Sequence, residues 1–96
     1  IQKTTTMSRT RVYTEDTIAI ISRFFAAVDA LIAMKKLKSM GTYCRLYGID
    51  KSNFYAQKRD YNKGHFQVSW LVPLAKDFNV SSDWVLLGKG EMFKKS

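Results

Sequence analysis

The sequence predicts a small all-α domain of five helices. Apolar residues in the first half recur at helical spacing, shorter helical stripes separated by glycine and polar loops follow, and no alternating strand pattern occurs. The chain has 96 residues, 46% of them hydrophobic and 14% aromatic. That composition is sufficient for one modest core and too apolar for a disordered segment. We expect the domain over residues 14–93, between a flexible basic arm at 1–13 and a basic tail at 94–96.

The first helix is expected from about Glu15 to Lys36. Thr14 is its expected N-cap, and the charges at the two ends suit a helix dipole, since Glu15 and Asp16 lie in the first turn and Lys35, Lys36 and Lys38 at the end. One buried stripe is predicted by residues three or four positions apart, and Phe24 and Leu31 widen it; the stripe residues are Ile18, Ile21, Phe25, Val28 and Ile32.

Two short helices that meet across a tight turn are expected next. Ser39 is the candidate N-cap of the first helix, and Gly48 should end it in the left-handed conformation. Asp50 is the candidate N-cap of the second helix, which should run over about residues 51–58.

The same segment, residues 40–57, has the composition of a helix-turn-helix. Such a motif needs a small residue where its helices touch, and Cys44 lies at that position. Apolar residues must fix the crossing angle, and the candidates are Tyr43, Tyr47, Ile49 and Phe54.

A polar loop over residues 59–67 precedes the last two predicted helices. The helical stripe of residues 68–78 requires Pro73 to lie in the first turn, where its missing N–H has no intrahelical partner to lose. Ser81 or Ser82 should cap a final short helix that Gly88 ends, with apolar residues Trp84, Leu86 and Leu87.

The net charge of +8 is concentrated in the middle of the chain. Residues 35–63 hold eight basic and two acidic side chains, so six of the eight excess charges fall in this segment. Charge alone is equally consistent with an ordinary solvated face, but here it coincides with the helix-turn-helix, which favours a nucleic-acid surface.

Two segments carry a family resemblance. The first is the helix-turn-helix of residues 40–57, and the second, more specific one is residues 78–93, FNVSSDWVLLGKGEMF. With them the chain resembles, over about residues 18–93, the lambda-repressor-like or Xre-type family of bacterial and phage regulators. The resemblance implies that the second helix of the motif lies in the DNA major groove.

The resemblance also implies roles for individual residues. The expected base-reading residues are Lys51, Ser52, Asn53, Tyr55 and Ala56. The expected phosphate-binding residues are Thr42, Arg45, Lys58, Arg59 and Lys63. The chain departs from the family pattern at Met40, where a glutamine is common, at Gln57, where an apolar residue is usual, and at Lys58 and Asp60, where Glu and Gly often follow.

Several groups have two interpretations. Trp70 and Trp84 are expected in the core, whereas Tyr55, Tyr61 and Phe66 could also stack on single-stranded bases. The lysines at 35, 36 and 38 suit either a helix end or phosphate. Arg9 and Arg11, in an arm whose first six residues carry no weight in the fold, could enter a minor groove.

Other classes of protein are disfavoured. One cysteine, Cys44, and one histidine, His65, provide no disulfide and no zinc site, so neither metal nor cofactor is expected. Charged residues interrupt the apolar stretch of residues 18–34, and no signal peptide is indicated, so we expect a cytoplasmic protein without a membrane helix. No catalytic constellation is evident, and an enzyme is not expected.

The sequence thus favours sequence-specific binding of double-stranded DNA by a transcriptional regulator. Such domains usually bind as dimers, and the C-terminal helix or the first helix is the candidate contact for a homodimer. Two rival hypotheses stay open: an antitoxin or excision factor of a mobile element, and a protein-interaction module built on a degenerate helix-turn-helix.

Overall fold

Five α-helices occupy most of the structure, a computed structural model that describes residues 12–95. They are α1 (Glu15–Ala33), α2 (Met40–Tyr47), α3 (Lys51–Arg59), α4 (Val72–Asp77) and α5 (Ser82–Leu87). A 3-10 turn, Val68–Trp70, precedes α4, and the described residues contain one isolated antiparallel bridge, Val80 to Phe93, and no β-strand. The all-α prediction is confirmed.

Helix α1 begins as predicted and ends earlier. The Thr14 hydroxyl accepts a hydrogen bond from the Thr17 N–H and caps the first turn. The helix stops at Ala33, not at Lys36, because Lys35 adopts a left-handed conformation with φ of 65°. The chain then folds back so that the Leu37 N–H donates to the Leu31 carbonyl, and the Leu37 side chain is buried.

The core is built around the ring of Phe24. Edge-to-face and tilted ring pairs, with centroids 5.0 to 6.2 Å apart, join it to Phe25, Tyr43, Phe54, Phe66 and Trp70. These rings come from α1, α2, α3, the following loop and the 3-10 turn, so one side chain joins most of the fold. The buried stripe of α1 is centred on Phe24, and the predicted Ile18 and Ile32 are only half-buried at its ends.

The second half of the chain differs in detail from the expected helices. The single helix predicted over residues 68–78 is divided into the 3-10 turn and α4, because Pro73, in the first turn of α4, has no N–H for a bond to the preceding turn. In α5 the Ser81 hydroxyl caps the Trp84 N–H, and Val85 is the buried residue. Leu86 and Leu87 are exposed.

Arg23 fastens α5 to α1. Its Nε donates to the Val85 carbonyl at 2.8 Å and its Nη2 to the Leu86 carbonyl at 3.2 Å, so it satisfies carbonyls that the end of a helix leaves without partners. Gly88 follows with φ of 70°, and a Cβ at that position would lie 3.1 Å from Arg23 Nη1. This glycine therefore serves both the helix end and the approach of the guanidinium group.

The α2–α3 pair is packed through small and aromatic residues. Cys44 on α2 is 3% exposed, and Phe54 on α3 and Tyr43 on α2 are fully buried. The Tyr43 hydroxyl donates to the Trp70 carbonyl at 2.7 Å, which joins this pair to the 3-10 turn. The burial of Cys44 agrees with its prediction as a small interior residue of α2, and the Tyr43–Phe54 ring pair joins the two helices.

Replacing Cys44 with leucine should overpack this crossing. We expect C44L to lower the free energy of unfolding by about 1–3 kcal/mol, measured by urea denaturation. Cys44→Ala, which adds no volume, is the matched control and should cost less than C44L. An unchanged midpoint for C44L would show that this position is not a tight helix contact.

Candidate nucleic-acid interface

Two side-chain caps and one left-handed glycine set the ends of α2 and α3. The Ser39 hydroxyl accepts from the Thr42 N–H at 3.1 Å, and Gly48 ends α2 with φ of 65°. The Asp50 carboxylate accepts from the Asn53 N–H at 2.9 Å and starts α3. All three predictions are confirmed, and α3 extends one residue beyond the expected segment.

Helix α3 has a buried face and an exposed face. Phe54 and Gln57 point into the domain and are fully buried. Among the predicted base-reading residues, Lys51, Ser52 and Asn53 are exposed, whereas Tyr55 and Ala56 are half-buried. The exposed face is widest in the first turn, so the groups most available to a ligand are those that follow the Asp50 cap.

The Lys51 side chain lies back over the start of α2. A Cβ built on Gly41 would be 3.5 Å from Lys51 Cε and 3.6 Å from Lys51 Nζ. The end of the Lys51 side chain therefore lies beside Gly41 in the first turn of α2. This placement suits an anion held at the N-terminus of α2 better than a base edge beyond α3.

The predicted phosphate-binding residues lie on α2, at the end of α3 and in the loop that follows. Thr42 is half-buried in the first turn of α2, with its hydroxyl 3.1 Å from that of Ser39, and Arg45 is exposed further along the same helix. The others are exposed at the end of α3 or in the loop that follows: Lys58, Arg59 and Lys63. Two groups of exposed cations result: Arg45 on α2 with Lys51 beside the first turn of α2, and Lys58, Arg59 and Lys63 at or after the end of α3.

A shallow groove adjoins the second group of cations. It has a volume of about 400 Å³ and lies between the start of α1 and the end of α3. Its lining residues are Ile18, Lys58, Arg59, Asp60, Tyr61 and Asn62. The groove is open and partly basic, which suits the sugar-phosphate backbone of a nucleic acid better than an enclosed small molecule.

Gln57 has a role that the sequence does not predict. Its side chain is fully buried, its Nε2 donates to the Tyr61 carbonyl at 2.6 Å, and its Oε1 accepts from the His65 N–H at 2.8 Å. Both polar ends are therefore satisfied, as a buried amide requires. Lambda-repressor-like sequences usually have an apolar residue at this position, and that difference was the one sign in the sequence of a special role for Gln57. The role is to hold the loop after α3 through two hydrogen bonds.

The aromatic residues near the cations pack against the core. Tyr61 stacks on Phe25 with ring centroids 6.0 Å apart and planes within 9°. Phe66 packs edge-on against Phe24, and Tyr55 against Phe54. Trp70 is buried and Trp84 half-buried against the same cluster, which confirms both as core residues and favours core packing over base stacking for the aromatic residues as a group.

Burial also affects the ionisable groups of α2. It raises the pKa of the Cys44 thiol, and the nearby Lys51 ammonium acts in the opposite direction. Desolvation, together with a 2.8 Å hydrogen bond to the Asp77 carboxylate, raises the pKa of Tyr47 to about 12. Both groups are therefore neutral at physiological pH, and the Tyr47–Asp77 bond connects α2 to α4.

The remaining predicted groups lie away from α3 or outside the structure. Lys35, Lys36 and Lys38 are exposed around a groove of about 460 Å³ beyond the end of α1. Arg9 and Arg11 fall outside the described residues. Within residues 12–95, no set of three His, Cys, Asp or Glu side chains is arranged to hold a metal ion, and none of the helices has the length and apolar character needed to span a bilayer.

The Asp50 cap provides a direct test of α3. Asp50→Ala should lower the free energy of unfolding by about 0.5–2 kcal/mol, because the Asn53 N–H loses its partner. Asp50→Asn is the matched control, since its side-chain oxygen retains the bond, and its cost should be smaller. Thermal melting by circular dichroism measures both, and equal losses would show that the carboxylate acts through its charge and not as a cap.

Comparison with known proteins identifies no relative of this chain. No protein-family model matches the chain, and no curated protein or solved structure matches it either. The likeness to lambda-repressor-like regulators therefore rests on the residues of the two segments described above.

Proposed function

We propose that the protein binds double-stranded DNA sequence-specifically through α2 and α3, as a bacterial or phage-type transcriptional regulator. The observation that carries the proposal is the exposed first turn of α3 together with two groups of exposed cations, on helices that pack on one aromatic core. A small molecule would need an enclosed pocket, whereas this surface is exposed and basic. Duplex DNA offers a groove between two rows of phosphates, which matches that arrangement.

The dimensions of α3 suit the major groove. A helix of nine residues is about 13 Å long and about 10–12 Å across, and the major groove is about 12 Å wide. In this arrangement Ser52 and Asn53 read base edges, with the half-buried Tyr55 and Ala56 at the side of the contact. The Ala56 methyl group is suited to the methyl group of thymine.

The backbone contacts come from both sides of α3. Thr42 and Arg45 serve one strand from α2, and Lys58, Arg59 and Lys63 serve the other. Lys51, which the sequence places among the base-reading residues, joins the first group in our proposal because its ammonium lies beside the first turn of α2. Its charge then contributes affinity on any sequence, and specificity depends on the other residues of the first turn of α3.

A second copy of the chain is the proposed protein partner. Domains of this kind usually bind two half-sites about one helical turn apart. Leu86 and Leu87 of α5 are 47% and 62% exposed and lie next to one another in the chain, so α5 is the candidate contact between copies. Helix α1 is less suited to this role, because its apolar face is used by the core.

Selection of bound duplexes from a random library, near ~0.15 M salt, tests the proposal. Recovery of one preferred sequence supports specific recognition, and two symmetric half-sites support a dimer. Enrichment of no sequence, with equal binding to duplex and single strands, would instead indicate a basic protein without duplex recognition.

Two substitutions in the first turn of α3 should have different effects. Lys51→Ala should weaken binding to selected and random duplexes by the same factor, about fivefold at ~0.15 M salt, which is the effect of one lost phosphate contact. Ser52→Ala, the matched change at the next position, should weaken the selected duplex by about 1 kcal/mol or more and leave random duplexes nearly unaffected. Fluorescence anisotropy measures both. A loss confined to the selected duplex for Lys51→Ala would return this lysine to a base edge.

A further inference from the structure

The loop between α3 and the 3-10 turn is irregular, yet it is fastened from several sides. Gln57 holds it from within the core through the Tyr61 carbonyl and the His65 N–H, eight positions away in the second case. Residues 60–66 thus close a short polar loop over a buried amide. Loops ordinarily move more than the elements they connect. The two hydrogen bonds of Gln57 restrict that motion here.

The segment before α1 holds the same loop from outside. The Tyr13 hydroxyl accepts from the Phe66 N–H at 3.0 Å and donates to the Phe66 carbonyl at 3.4 Å. The Asn62 Oδ1 accepts from the N–H groups of Val12 and Tyr13, at 2.9 and 3.0 Å. The loop is therefore held between α3 on one side and the start of the described chain on the other.

The restrained loop presents one cation. Lys63 is exposed between the fastened Asn62 and Gly64, and its N–H donates to the Asp60 carbonyl in a tight turn. Gly64 follows with φ of 93°, a conformation that favours glycine. The backbone that carries Lys63 is thus fixed from both ends, four residues after the end of α3.

We propose that residues 60–66 form a preorganised contact for the DNA sugar-phosphate backbone, in which Gln57 and Tyr13 are positioning residues for Lys63. The inference rests on the proposed binding of duplex DNA. A contact that is ordered before binding avoids the entropy cost of fixing a loop and its side chain in the complex. Stability alone does not require a braced loop to present an exposed lysine.

A double-mutant cycle separates positioning from a purely structural role. Lys63→Ala should weaken duplex binding about fivefold at ~0.15 M salt and lower the salt slope by about 0.9, because one phosphate contact is lost. In a Tyr13→Phe background, which retains the ring and removes both bonds to Phe66, the same change should cost less than about twofold. In a Gln57→Met background, which has an apolar side chain of similar length, Lys63→Ala should likewise weaken duplex binding by less than about twofold, because the loop loses its hydrogen bonds to α3.

Lys36→Ala is the matched control. Lys36 is an exposed lysine beyond the end of α1, so whatever its removal does to binding should be the same in all three backgrounds. Circular dichroism verifies folding of each variant, and Tyr13→Phe keeps the cycle informative if Gln57→Met does not fold. A fivefold effect of Lys63→Ala in every background would overturn the positioning roles.

Failure of the inference is distinguishable from failure of the proposed function. If the unaltered protein prefers duplex to single strands and Lys63→Ala changes nothing, the loop contact is wrong and duplex binding stands. If the unaltered protein shows no preference for duplex, the proposed function fails before any variant is compared, and the loop contact with DNA fails with it.

Discussion

The packing of aromatic rings around Phe24 is the constraint on which the rest of the structure depends. Its ring contacts rings from α2, α3, the loop after α3 and the 3-10 turn, so one side chain joins all four to α1. Aromatic pairs prefer edge-to-face geometry, which limits the angles that these elements can adopt. The exposed face of α3 has a defined direction because its opposite face, through Phe54, belongs to this cluster.

Hydrogen bonds at the helix ends then fix the exposed surface of α2 and α3. Side-chain caps from Ser39 and Asp50 start the two helices of the motif, and Gly48 allows the sharp turn between them. Lys51 at the start of α3 and Lys58 and Arg59 at its end are then held apart by the length of this helix. The basic side chains of this segment thus lie at both ends of α3.

Local signals made much of this fold predictable. Caps, left-handed glycines and the helical stripe of α1 depend on a few neighbouring residues, and the predicted helix-turn-helix agrees with the structure to within one residue. The predictions failed where contacts outside the regular helical pattern decide the structure. Leu37 turns the chain back to Leu31 and shortens α1, and Gln57 is buried because the loop of residues 60–66 supplies partners for both ends of its amide. The placement of Lys51 beside Gly41 also depends on how α2 and α3 pack, which helical spacing in the sequence does not predict.

Chemical-shift mapping tests the central claim, that duplex DNA binds the surface of α2 and α3, most directly. Isotope-labelled protein would be titrated with a selected duplex near ~0.15 M salt, and the backbone amide signals followed. The account expects the largest changes in the first turn of α2, the first turn of α3 and the loop of residues 60–66, with α4 little affected. Changes centred on α4 or on the outer side of α1, with α3 unaffected, would contradict it.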